Sequence, residues 1–196
     1  KKKVYLMQHL LTPHSNETIP YAYWKNGFTD EELTWLQEKA KQANQIGLTR
    51  GGEQSSVRKS NINWMNKNND SKWVFEKLGH IVSRINRDYY NFDLTGFGED
   101  IQLTNYSGSN FDRYGWHQDF GAKNVSRKLS VVLQLSDPKD YEGGNLQIMN
   151  SEKPNSIQRE RGFLVAFPCW SLHQVTPVTK GDRQSLVAWI TGPEFK

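Results

Sequence analysis

Lys128-Leu129-Ser130-Val131-Val132-Leu133-Gln134-Leu135 and, nearer the end of the chain, Gln184-Ser185-Leu186-Val187-Ala188-Trp189-Ile190-Thr191 are runs rich in β-branched and large apolar residues. Both read as strands. They belong to a series. Residues 101–106, 111–116, 145–149, 163–167 and 172–176 have the same character. Turn signals separate them: Ser107-Gly108, Asp137-Pro138, Gly143-Gly144, Lys153-Pro154 and Lys180-Gly181-Asp182. Many short strands at this spacing predict a sandwich or a jelly-roll barrel.

Upstream of residue 96 the pattern is helical. Thr29-Asp30-Glu31-Glu32 is a capping-box signature, followed by Leu33, Leu36, Ala40 and Ala43 at helical spacing, with Gly47 ending the run. A second helix is expected from Asp70 or Ser71, with Trp73, Leu78, Ile81, Val82, Ile85 and Tyr89 on its apolar face and Asn91 near its end. Between them, residues 51–69 read as a long polar loop with a strand around 60–64. Helices first and strands afterwards predict an α+β fold with helices buttressing one side of the barrel. We expect one domain over 1–196: 1–95 as helical support and substrate loop, 96–196 as the catalytic core.

The 196 residues, 36% hydrophobic and 23% charged, suit a globular domain with a substantial core. No run of 18 apolar residues is present, so no membrane-spanning helix is expected. Cys169 is the only cysteine, which excludes an intrachain disulfide and a Cys-based zinc cluster and fits a reducing, cytoplasmic setting (host cytoplasm for a viral protein). Lys1 in place of Met leaves an upstream leader open. The net charge of +4 is spread out, with short basic clusters at Lys1 to Lys3 and Arg159 to Arg161, and makes no case for a nucleic-acid partner.

His117-Gln118-Asp119 places an imidazole and a carboxylate two residues apart, hence on one face of an extended segment. His173 follows a later strand and the turn at Pro168. In a double-stranded barrel such a strand lies beside the one carrying His-x-Asp. Two His and one carboxylate on one face form the facial triad of non-haem Fe(II) oxygenases, with the opposite face open for a chelating co-substrate and dioxygen. A closed structural zinc site lacks that opening. Arg183 follows His173 by ten residues. Its guanidinium suits the distal carboxylate of 2-oxoglutarate, with Ser185 on the same face and Tyr106 as a phenol donor. His9, His14 and His80 have no partner at ligand spacing.

Residues 135–146, Leu-Ser-Asp-Pro-Lys-Asp-Tyr-Glu-Gly-Gly-Asn-Leu, resemble the "LSDPxDYxGGEL" segment of PKHD-type hydroxylases, bacterial and viral relatives of the prolyl 4-hydroxylases. Residues 172–183 resemble their "LHxVTPVTxGxR" segment, and Tyr114 to Asp119 their tyrosine followed by His-x-Asp. Asn145 stands where those proteins usually carry Glu. The resemblance covers about residues 100–193. It implies a double-stranded β-helix, iron ligands at His117, Asp119 and His173, and co-substrate contacts at Arg183 and Tyr106. A second tyrosine found in several prolyl hydroxylases is missing from the strand at 130–134, so that its contact is either absent or replaced, with Gln134 the candidate. The implied reactants are Fe(II), 2-oxoglutarate and O2, with ascorbate as a supporting reductant. The implied reaction is hydroxylation of an unactivated C–H bond.

A protein or peptide substrate, foremost a prolyl residue, follows from that resemblance together with the 50–69 loop, which could close over an extended peptide. Arg58, Trp64 and Tyr114 are its expected contacts. Three other readings compete: the same chemistry on a free amino acid, small metabolite or nucleobase; a non-catalytic jelly-roll binding protein; and a zinc hydrolase.

Overall fold

The computed structural model describes residues 19–48, 56–121, 124–150 and 152–194. Two antiparallel sheets face each other. The major sheet runs β1 (Ala22–Trp24), β12 (Leu164–Pro168), β8 (Arg127–Gln134), β14 (Val178–Thr191), β6 (Ile101–Ser107), β4 (Asn61–Met65) and β2 (Gln45–Ile46). Two short strands, β5 (Gly96–Phe97) and β9 (Tyr141–Gly143), also pair with β14. The minor sheet runs β11 (Pro154–Ser156), β10 (Leu146–Met149), β13 (His173–Val175), β7 (Arg113–His117) and β3 (Arg58–Lys59).

The central strands of the major sheet are covered on both faces, and their side chains divide by parity. Leu129, Val131 and Leu133 on β8, with Leu186, Ala188 and Ile190 on β14, point to the helices. The alternate residues point into the barrel: Val132 packs with Phe167, Val165, Ile148 and Leu146. Registration carries this across strands, with Arg183 opposite Tyr106, Ser185 opposite both Thr104 and Gln134, and Trp189 opposite Ser130. The polar residues that interrupt the apolar runs therefore fall together inside the barrel.

Two helices cover the outer face. α1 (Asp30–Lys41) opens with the expected capping box: the Glu32 amide donates to Thr29 Oγ1 at 3.3 Å and the Thr29 amide to Glu32 Oε2 at 2.8 Å. It buries Leu33, Leu36 and Ala40. It stops at Gln42 rather than Gly47, because Gln45 and Ile46 pair with β4. α2 (Lys72–Ile85) buries Val74, Phe75, Leu78, Ile81, Val82 and Ile85. Tyr89 is not on its apolar face. The helix widens over Asn86–Tyr90, Tyr89 turns outward, and Asn91 ends the segment at φ 52°. Leu78 is fully buried in this layer. Leu78→Ala is expected to cost about 2–5 kcal/mol in urea denaturation. A loss below about 1 kcal/mol would mean that the helix layer contributes little to the core.

Three further expectations change. The stretch at 51–69 holds the strand expected around 60–64, as Asn61–Met65 paired with β6, but also a second strand, Arg58–Lys59 paired with β7, so less of it is loop; its first residues, 51–55, lie outside the described residues. The N-terminal half is therefore not purely helical, because β4 and β3 extend both sheets. Lys180-Gly181-Asp182 is not a turn but part of β14. Gly181 allows this at φ +65°, where a Cβ would collide with the Asp140 carbonyl oxygen.

The Arg159 to Arg161 cluster is an internal clamp. Arg159 donates to the carbonyls of Pro138 and Tyr141, and Arg161 to that of Leu135 and to Thr34 on α1. Lys1 to Lys3, His9 and His14 lie outside the described residues. Among the described residues no helix is long and apolar enough to cross a membrane.

Candidate metal centre and co-substrate pocket

His117 ends β7, Asp119 lies just beyond it, and His173 opens β13 directly opposite His117. One potential donor atom from each lies within 4.8 Å of the others. Asp119 Oδ1 is 3.6 Å from His117 Nε2, and Oδ2 is 3.5 Å from His173 Nε2.

The backbone sets the tautomers. His117 Nδ1 is 2.8 Å from the Gly115 carbonyl oxygen and His173 Nδ1 is 2.9 Å from that of Ser171. A carbonyl only accepts, so both Nδ1 atoms carry the proton and both Nε2 lone pairs face Asp119. Asp119 is held by its own amide, which donates to the Cys169 carbonyl at 2.9 Å, and by Ser130 Oγ, which donates to Oδ2 at 2.7 Å. Burial, reinforced by His173, pushes the His117 pKa down to about 4. Burial alone would raise Asp119; the His173 and His117 imidazoles, with Trp189 and Ser130, hold it below the usual carboxylate range. At neutral pH His117 is thus neutral and Asp119 ionised, the forms a metal needs. This donor set, open on its cavity side, fits Fe(II).

Deeper in the barrel, Arg183 is 1% exposed. It donates to Gln134 Oε1 at 2.9 Å and to Ser185 Oγ at 3.5 Å, and its guanidinium lies 5.4 Å from the Tyr106 ring centre. Its Nε and the Gln134 amide nitrogen are buried with no hydrogen-bond partner. Among the described residues no carboxylate forms an ion pair with it. A buried cation without a counter-ion is costly unless an anion joins it. Burial raises the Tyr106 pKa, so its phenol keeps its proton as a donor.

A cavity of about 650 Å3 opens over the triad. All three expected substrate contacts line it, in different roles. Tyr114 stacks on His117 at 3.5 Å between ring centres. Trp64 is half-exposed at the rim, 6.1 Å from Trp189. Arg58 is buried in the wall, bonded to Ser60, Gln102 and the Leu48 carbonyl.

Ser130, Trp189 and the Arg127–Glu99 pair were not picked out in the sequence. Arg127 makes a two-pronged salt bridge to Glu99 at 2.7 Å and covers the Trp189 ring at 4.0 Å. Parity could have found two of them. Ser130 shares the face of Gln134, and Trp189 that of Arg183.

Two facing antiparallel sheets with an open two-His, one-carboxylate cluster define the double-stranded β-helix class. A family model described as "2OG-Fe(II) oxygenase superfamily" matches residues 101–191. A PKHD-type hydroxylase of Nitrosomonas europaea is 32% identical over 174 residues, covering 83% of this chain and 74% of its own length. A PKHD-type hydroxylase of Shewanella oneidensis is 42% identical over 84 residues, which are 40% of this chain and only 38% of that protein. A Trichoplax adhaerens prolyl hydroxylase, solved with a hypoxia inducible factor oxygen degradation domain peptide fragment, superposes with TM-score 0.75 at 19% identity, covering 88% of this chain and 84% of that one. A Pseudomonas putida prolyl-4-hydroxylase superposes with TM-score 0.70 at 18% identity, covering 89% and 93%. The chain belongs to the PKHD-type hydroxylases of the 2OG-Fe(II) oxygenase superfamily. The superfamily's description implies Fe(II), 2-oxoglutarate and O2 as the reactants of its members.

Proposed function

We propose that this chain hydroxylates an unactivated C–H bond in a peptide or protein, foremost a prolyl residue, with Fe(II) held by His117, Asp119 and His173 and 2-oxoglutarate anchored by Arg183. The observation that carries the reading is the buried Arg183, without a carboxylate partner among the described residues, in the same barrel as an open His-Asp-His cluster. Bound iron supplies the oxidising chemistry, coupled to conversion of 2-oxoglutarate and O2 to succinate and CO2. The protein supplies placement. Arg183 offers paired charge-assisted hydrogen bonds to the distal carboxylate, and Ser185, Gln134 and Tyr106 are further donors beside it. Tyr114, Arg58 and Trp64 form the substrate wall.

A peptide substrate is supported by the cavity of about 650 Å3 and its rim of half-exposed Ile46, Leu48, Val57 and Trp64, more apolar surface than a small polar metabolite uses. The peptide in the Trichoplax neighbour points the same way. The bacterial relatives support a cytoplasmic setting.

The test is incubation with Fe(II), 2-oxoglutarate and a proline-centred peptide library, reading succinate release and +16 Da products together. Coupled formation of both is expected. Succinate release with no modified peptide, alongside hydroxylation of free amino acids, would replace the peptide reading with a small-molecule one.

A further inference from the structure

We infer that Ser130 fixes the coordination mode of Asp119: by occupying Oδ2 it leaves Oδ1 as the single metal-ligating oxygen and so keeps a position open for the co-substrate. The inference rests on Asp119 being a metal ligand, as proposed above. Ser130 is fully buried on β8, on the barrel face, and its hydroxyl donates to Oδ2 at 2.7 Å. That bond uses the oxygen lying toward His173, while Oδ1 lies toward His117.

Trp189, the residue opposite Ser130 on β14, lines the cavity together with Asp119. Its indole nitrogen is buried beside the Asp119 carboxyl, near enough to help hold it ionised though short of a well-formed hydrogen bond. It is thus a second donor beside the carboxylate, from the neighbouring strand.

The consequence is specific. An ionised carboxylate can bind a metal through one oxygen or through both. Three protein donors on one face leave room for a chelating keto acid and dioxygen. A carboxylate bound through both oxygens would occupy one of those positions. Most orienting hydrogen bonds tune metal affinity itself. Here the bonded oxygen is a competing donor, so losing the bond frees an extra ligand. The cost should fall on the co-substrate rather than on the metal.

The experiment is a pair of anaerobic titrations followed by visible absorption: Co(II) into metal-free protein, then 2-oxoglutarate into the Co(II)-loaded protein. Ser130→Ala is expected to keep Co(II) affinity within about threefold of the parent and to weaken 2-oxoglutarate binding by about tenfold or more. The Co(II) spectrum before 2-oxoglutarate should also change, reporting the altered coordination. Ser130→Thr, which retains the hydroxyl, should restore both, and Trp189→Phe should shift both in the direction of Ser130→Ala by a smaller amount. Unchanged 2-oxoglutarate affinity in Ser130→Ala, or losses of Co(II) and 2-oxoglutarate affinity of equal size, would overturn the inference, the latter showing simple misplacement of Asp119. Co(II) binding as tight in Asp119→Ala as in the parent would instead overturn the ligand assignment beneath it.

Discussion

Asp119→Ala, and separately His117→Ala, is expected to abolish Fe(II)-dependent succinate formation while leaving the protein folded. The two imidazoles present their Nε2 lone pairs because the Gly115 and Ser171 carbonyls fix the tautomers. His117 needs no deprotonation at neutral pH, since burial holds its pKa near 4. Asp119 brings the only carboxylate of the cluster. On the proposed assignment, removing it deletes a ligand and the charge that would offset part of the metal's own. Changes to residues that merely orient metal ligands typically cost about 10–100-fold in affinity or activity, so loss of a ligand should exceed that. Succinate release, with circular dichroism as the folding control, is the measurement. Turnover persisting in both variants would mean that iron, if used, sits elsewhere.

The second large effect is at Arg183. Arg183→Met is expected to raise the 2-oxoglutarate requirement by roughly thirty- to several-thousand-fold, the equivalent of about 2–5 kcal/mol for a buried charge-assisted pair. The iron requirement should stay within about threefold, because the triad does not use this residue. The same change carries an opposite sign for the metal-free protein. Its guanidinium is buried, Nε has no partner, and no ion pair forms among the described residues. Replacing an uncompensated buried cation with an apolar side chain of similar size is often neutral or stabilising. Metal-free Arg183→Met should therefore melt at or above the parent's temperature. Adding Mn(II) with 2-oxoglutarate should raise the parent's melting temperature and leave that of the variant nearly unchanged. Unaltered co-substrate dependence would assign the distal carboxylate to another residue. A large drop in metal-free stability would show Arg183 to be a structural cation.

Much of the fold could be read directly. Strands β6, β8, β12 and β14 fall on the apolar runs, and Thr29 with Glu32 marks the start of α1 to the residue. Those signals are local: side-chain type, spacing and capping chemistry act over a few residues. What escaped is equally instructive. The two-residue pieces β2 and β3, and the three-residue β1, β9 and β11, are too short to carry a period. They are strands only because a neighbour offers a row of backbone groups. Lys180-Gly181-Asp182 reads as a turn by composition, yet pairing with β6 and β9 carries β14 through it.

By itself the chain order supplied the donor types: the His-x-Asp pair, a later His and an Arg beyond it, each in a strand-like run. Only the tertiary structure decided that they meet. His173 faces His117 because β13 pairs with β7 across more than fifty intervening residues. Ser130, Gln134, Ser185 and Tyr106 share the barrel-facing side of the major sheet because strand register aligns their parity. A strand pattern states which side chains share a face. Hydrogen bonds between distant strands, and the packing of two sheets, settle which face is turned toward the His-Asp-His cluster and which toward the helices.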